Sequence, residues 1–483
     1  MMTYYALLLP QATLLLGILA TLIGETFFPT EDKQGQWRIH LAVLILATFQ
    51  QLLIYRVGST IYLRGGMVLD GISQLLSLAI LSLALLAHFN RRRERRVLTS
   101  QSHLLSLGVT LFALCTVQAN RFLFGVFAIV AMILVCQGAL ASESKRFQQI
   151  VIIQSSVLRG VVYLLGGVLL CVFCLATFGE TQIDEIQRMI VRPHINESMI
   201  HFIEIMILFM AAVVMGIPPF QGLWGRSRQS ASWSLVIATT GTFAVVGLGL
   251  FLRWAVMLFS RAAVGQHELE PLSQTDVFLY IRVISVVGLI LVPAMALMSR
   301  KLRPGILIFT LNPFVQILYS ISFGQREVLG FAAGHILLSV FNLGLLIYAI
   351  RTLNISEDFS LTRWAGIGHR ALIPTLVFIL SLTSLAGLAP FFGSMLLQKT
   401  LCIKTMTGFA LLLNVALSGY YVVYLAELAF QGGRGQELAT FPLSRMQKFW
   451  FIGQFVVLIF VGIFWQPLYK YGAYSIRGLF GDI

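Results

Sequence analysis

Apolar stretches of roughly twenty residues alternate with short polar connections along all 483 residues of the chain. About 20 apolar residues in helical form cross the hydrocarbon core of a bilayer. The pattern therefore predicts about 14 spans, near 4–28, 39–56, 66–89, 101–119, 122–141, 148–178, 200–223, 230–258, 276–299, 305–324, 328–351, 371–394, 403–430 and 447–468. The stretch 148–178 is longer than a bilayer needs, which predicts a tilted or broken helix. No connection is long enough to fold separately, and the longer ones, 179–199 and 259–275, read as polar segments lying on the surface.

Two spans are interrupted in the same way. Gly216-Ile217-Pro218-Pro219-Phe220-Gln221-Gly222 and Gly387-Leu388-Ala389-Pro390-Phe391-Phe392-Gly393 each set a glycine, a proline, an aromatic residue and a second glycine inside an apolar run. Proline removes a helical hydrogen bond, and freed backbone at membrane depth is tolerated only inside protein or beside a wet cavity. The expectation is a pair of broken helices at 216–222 and 387–393, marked by Pro218, Pro219, Pro390 and Gly393. Two unrelated proline kinks are the plainer alternative.

Composition narrows the class. Hydrophobic residues make up 58% of the chain and charged residues 11%, which excludes a water-soluble globular protein. The net charge of +14 does not signal nucleic acid, because Lys and Arg cluster between apolar runs, where they set topology. Loops after odd-numbered spans hold most of them, including the run Arg91, Arg92, Arg93, Arg95 and Arg96. Both termini are thus expected on the non-cytoplasmic (or non-matrix) side of a bacterial or mitochondrial inner membrane, with the first apolar run retained as a span. Cys171 and Cys174 have the spacing of a redox or metal pair, but no second pair, His or acid stands nearby, so they read as packing residues. No metal site is expected.

Four stretches in order carry a resemblance. They are Gly65-Gly66-Met67-Val68-Leu69-Asp70-Gly71-Ile72-Ser73, Pro218-Pro219-Phe220-Gln221-Gly222-Leu223-Trp224, Ser381 through Gly393, and Asn414 through Tyr421. Together they resemble the antiporter-like membrane subunits of respiratory complex I, most of all subunit N, which is subunit 2 in mitochondria. The resemblance implies an all-α polytopic membrane protein with 14 transmembrane helices and two inverted five-helix repeats. The chain would be a single transmembrane domain, 1–483, with N-terminal spans in 1–100, a first repeat in 101–258, a second in 276–430, and a last span with its tail in 431–483. It also implies other complex I membrane subunits and lipid as partners. No cofactor is expected in this chain; FMN, iron-sulfur clusters and quinone belong elsewhere in such a complex.

The family moves protons along buried Glu, Lys and His residues, and here the chain departs from it. The acid of span 5 falls near Val130, the lysine of span 7 near Val213 or Val214, and the lysine of span 8 near Ala244. The histidine of span 10 is Asn312, and the histidine of the first break is Gln221. Lys399 lies two residues after the position of the span 12 lysine, Leu397, a rotation of roughly 200° around a helix. Lys399, His335, Asn312 and Gln221 are therefore the candidate proton-path positions, with Lys399 as an interfacial lysine and His335 as a packing histidine the alternatives. Glu25, Asp70, Glu204, Arg282 and Glu427 read as interfacial charges near span ends. Arg159 and Arg253 lie deeper, and each needs an acid, carbonyls or water, although no acid stands one turn away on either helix.

Two functions remain open at this point. One is a membrane-arm subunit of a proton-translocating NADH:quinone oxidoreductase, structural in role, with its own proton channel impaired or lost. The other is an independent or multisubunit cation/proton antiporter. No nucleotide loop or nucleophile constellation supports an enzyme with its own redox or catalytic site.

Overall fold

The computed structural model describes residues 6–27, 33–54, 60–63, 65–91, 100–143, 146–190, 197–218, 220, 231–256, 276–353, 355, 361–402, 408–431 and 445–476. Within them the fold is helical apart from one short hairpin. The chain divides into two compact units, Met1–Ile281 with Tyr474–Ile483, and Arg282–Ala473. Among the described residues, ten helices are long and apolar enough to cross a membrane, or eleven if a pair bent by 73° near residue 464 counts as one span. Three further apolar helices are shorter. The protein is an integral, multi-pass membrane protein.

The first unit opens with α1 (Leu9–Phe27) and α2 (Lys33–Ile54). A two-stranded antiparallel hairpin follows, β1 (Thr60–Tyr62) with β2 (Met67–Leu69). It corrects the predicted start of the third span. Residues 66–69 are turn and strand, and α3 (Gly71–Arg91) begins only after Asp70. Asp70 starts that helix by accepting from the Ser73 amide at 2.7 Å, while the Ser73 hydroxyl accepts from the Asp70 amide at 2.9 Å. Next come α4 (Ser100–Val117), α5 (Phe122–Ser142) and α6 (Arg146–Phe178). The long stretch read as tilted or broken is thus one helix of 33 residues. Helix α7 (Ile183–Ile190) is short and amphipathic, with Asp184 and Glu185 in its first turn, where the helix dipole favours acids.

The unit closes with α8 (Glu197–Met215) and α9 (Trp233–Gly249), which continues as a π-helical turn, Leu250–Val256. The span Trp233–Val256 is almost wholly buried, so this helix is surrounded by protein while others present apolar faces outward. Residues 259–275 lie outside the described residues.

The second unit contains most of α10 (Asp276–Leu297), then α11 (Leu302–Phe309) and α12 (Asn312–Ile321). The span expected at 305–324 is present as Leu302–Ile321, with its helix interrupted at Thr310–Leu311. Pro313 is accommodated because it falls in the first turn of α12, where its missing N–H costs nothing. After α13 (Arg326–Thr352) come two single turns, α14 (Leu361–Trp364) and α15 (Ile367–Arg370). The broken span follows as α16 (Leu372–Leu385) and α17 (Phe392–Leu401). Then come α18 (Gly408–Phe430), α19 (Arg445–Ile463) and α20 (Gln466–Ser475). Helices α11 to α13 form the buried centre of this unit, and both spans they make, 302–321 and 327–352, are largely buried.

Candidate functional site

Both predicted breaks open with the same backbone device. At the first, Gly216 has φ of 74°; its amide donates to the Val213 carbonyl at 3.2 Å and the Ile217 amide to Ala212 at 3.2 Å. At the second, Gly387 has φ of 76°; its amide donates to Ser384 at 3.1 Å and the Leu388 amide to Thr383 at 3.2 Å. This is a left-handed C-cap, and glycine is the residue that takes positive φ without steric cost. Pro218 and Pro390 follow the caps and prevent the helix from continuing. Pro219 and Gln221 lie outside the described residues. The second break covers 386–391 rather than 387–393, because helix resumes at Phe392 and Gly393 falls in the first turn of α17.

A helix end leaves four carbonyls without intrahelical partners. At the second break the cap satisfies those of Thr383 and Ser384, and the Ala386 amide closes on Leu382 at 2.8 Å. The carbonyls of Leu385 and Ala386 are left over, and side-chain amides from α12 take them. Asn312 Nδ2 donates to Leu385 O at 3.1 Å, and Gln316 Nε2 to Ala386 O at 3.0 Å. Asn414 on α18 holds both amides: it donates to Asn312 Oδ1 and Gln316 donates to its Oδ1, each at 2.8 Å. Asn414 also donates to Leu289 O at 2.7 Å. Asn312, Gln316 and Asn414 are completely buried. The surrounding contacts are hydroxylic, with Asn342 donating to Ser384 Oγ at 2.6 Å and Ser320 meeting Thr400 at 2.9 Å.

His335 is the one candidate imidazole beside this break. It is fully buried on α13, and neither ring nitrogen has a hydrogen-bond partner among the described residues. Its ring stacks on Phe392 at 6.0 Å, and a Cβ added at Gly393 would lie 3.0 Å from both the Gly387 Cα and the His335 Cε1. Gly393 therefore permits the close approach of α17 to both. Phe331 spreads over the same region, 5.8 Å from Phe392, 5.0 Å from Trp465 and 4.7 Å from Tyr469. Lys399 sits elsewhere: its half-exposed side chain ends on the Glu327 carboxylate at 2.5 Å.

In the first unit, Arg253 on the π-turn is fully buried. Its Nη1 donates to Val117 O at 2.8 Å and its Nε lies 3.7 Å from Asp70 Oδ2. The acid that the sequence did not offer on the same helix is Asp70, between β2 and α3, which is buried as the partner of Arg253. Glu204 is also buried, 3.4 Å from His201. Arg282 folds inward, donating to Ser322 O at 3.0 Å and covering the Phe323 ring at 4.6 Å. The side chain of Arg159, like that of Glu25, lies outside the described residues. Among the described residues no cluster of His, Cys, Asp and Glu is arranged to hold a metal ion.

The sequence matches no known family profile. It matches no curated protein either. Solved structures match over nearly the whole chain. A chain of respiratory complex I from Thermus thermophilus is 16% identical with a TM-score of 0.75, covering 96% of this chain and 99% of that one. A chain of the membrane-bound sulfane sulfur reductase, an archaeal respiratory membrane complex, is 14% identical with a TM-score of 0.79, covering 98% and 97%. A chain of the Mrp complex from Dietzia sp. DQ12-45-1b is 15% identical with a TM-score of 0.73, covering 98% of each. The fold is thus the one built by membrane chains of multisubunit respiratory and Mrp-type complexes.

Proposed function

We propose that this chain is a membrane-arm subunit of a respiratory complex of the complex I type, similar to subunit N, and that it serves as a structural link whose own proton path is lost. The observation that carries this reading is the amide cluster at the second break. A proton relay needs groups that change charge, and groups of that kind in a bilayer are costly enough to persist mainly for function. Asn312, Gln316 and Asn414 are joined to one another by hydrogen bonds while staying neutral, and Asn312 and Gln316 occupy the Leu385 and Ala386 carbonyls that the break exposes. The break is kept as architecture and its conducting chemistry is replaced by a lock.

The same reading assigns spans 4–8 and 9–13 to two inverted repeats and both termini to the non-cytoplasmic side. Neighbouring membrane subunits would cover the apolar faces of α1, α2 and α19, where Leu16, Leu53 and Phe449 are exposed. Reconstitution into proteoliposomes with an interior pH dye tests the lock. A scaffold gives no proton flux above empty vesicles under an imposed pH gradient or sodium gradient. Sodium- or potassium-dependent proton exchange by the chain alone would favour the antiporter reading, to which the Mrp-type neighbour gives its support.

A further inference from the structure

A second group of ionisable side chains, in the first unit, takes no part in the break. His40 in the first half of α2, His88 in the last turn of α3 and His103 in the first turn of α4 come together at one end of three successive helices. Ring centroids are 5.8 Å apart for His40 and His88, 5.3 Å for His40 and His103, and 5.0 Å for His88 and His103. All three are buried, with exposures of 0%, 3% and 4%. Three imidazoles packed this closely in an apolar helix bundle are a departure from ordinary core composition, since each brings two polar nitrogens that leucine would not.

The surroundings suit one positive charge. The Trp37 ring stacks on His88 at 5.7 Å with planes 11° apart, and an indole face attracts a cation. The Trp37 carbonyl lies 3.1 Å from His88 Nε2, where it accepts an N–H. The Thr21 hydroxyl lies 3.0 Å from His40 Nε2 while donating to Gly17 O at 2.8 Å, so its oxygen accepts from the ring. Beside the cluster is a cavity of about 40 Å³ with room for about two waters; most of its wall is apolar, including Leu44 and Leu235, and its polar lining is His88, Ser106, Thr110, Thr239 and Thr242. The hydroxyls of Ser106, Thr110 and Thr239 donate to backbone carbonyls of their own helices, which leaves oxygen lone pairs as acceptors. Charged groups on the packed helices are few. Arg38 is exposed; Glu25, Lys33 and Arg91 lie outside the described side chains; α4, α5 and α9 carry no Asp, Glu, Lys or Arg.

We propose that His40, His88 and His103 form a proton-binding site that holds one excess proton, taken from cavity water and shared among the three rings. One ring becomes imidazolium, the other two stay neutral and supply acceptor nitrogens, and the stacked indole and the Trp37 and Thr21 oxygens hold the charge. The site is independent of the lock at the second break, so either survives the failure of the other.

Protonated imidazole quenches a stacked indole, which makes Trp37 the reporter. Emission of the full chain in detergent, with a chelator present throughout, is titrated with acid and compared with the W37F variant; size exclusion marks the range in which the chain stays folded. The expected result is an acid-quenched component absent from W37F and lost in H88Q. H40Q and H103Q leave the Trp37–His88 stack in place, and each should move the midpoint to lower pH, because glutamine keeps an acceptor oxygen but offers no basic nitrogen to take the shared proton. These two variants keep the test decisive where H88Q fails to fold. The proposal is overturned if no Trp37 component responds to pH, or if its midpoint is unmoved in both H40Q and H103Q, in which case His88 titrates alone.

Discussion

Asn414 Nδ2 and Asn312 Oδ1 meet at 2.8 Å, and through this contact α18 braces the side chain that caps the broken end of α16. Replacing Asn312 or Gln316 by alanine leaves a buried carbonyl at the break unpaired, with an expected loss of about 1–3 kcal/mol each. Because Asn414 touches both amides, the double variant N312A/N414A should lose less than the sum of the two singles. Thermal unfolding of the purified protein in detergent reads the cycle. Strict additivity would mean that the cluster is not a unit.

Arg253 and Asp70 make a second test. Leaving either charge buried without the other is expected to cost about 3–5 kcal/mol, whereas exchanging both for apolar residues of similar volume relieves the desolvation of both. R253M and D70L should each be strongly destabilised, and R253M/D70L should recover much of that loss. If the double variant is as unstable as the worse single one, the pair is held mainly by the Val117 and Ser73 contacts.

The two glycine caps predict matched backbone effects. G216A and G387A force a side chain into the left-handed region at a cost of about 1–2 kcal/mol. At Gly387 the added Cβ also meets Leu397 Cδ1 at 2.7 Å and Gln316 Oε1 at 3.0 Å, so G387A should disturb the amide cluster as well. G216N and G387N test the cap itself, because Asn tolerates positive φ better than Ala. If Asn were no better than Ala at Gly216, the cap would not explain that glycine.

Lys399 and Glu327 are both substantially exposed, and exposed pairs contribute little. K399M should leave thermal stability and any catalytic turnover of the host complex unchanged. A large loss of proton translocation in that variant would restore Lys399 to a conducting role.

Much of the architecture was legible because its signals are local. Apolar run length marks spans, and Gly216, Pro218, Gly387 and Pro390 mark breaks within a few residues. The expected span at 66–89 takes in Gly66 and strand β2 because Met67, Val68 and Leu69 are as apolar as the helix that follows. The interruption at Thr310–Leu311 left no signal beyond Pro313. Lone ionisable residues could be placed on helices but not paired: Asp70 and Arg253 are far apart in sequence, and only the fold brings the hairpin to the π-turn. The same holds for Gln316 and Asn414 around Asn312, and for His40, His88 and His103, which arise from three different helices and show no motif. The use of Asn312 as a cap left no signal in the sequence.

The proposal that this chain is a non-conducting link in a larger membrane complex is tested most directly by gentle extraction of the native membrane, followed by identification of what migrates with the chain. Stable co-migration with the other membrane subunits and the electron-transfer subunits of a respiratory complex, with quinone-reductase activity in that fraction, is the predicted result. Migration of the chain alone, or only with small antiporter-type partners, would contradict it.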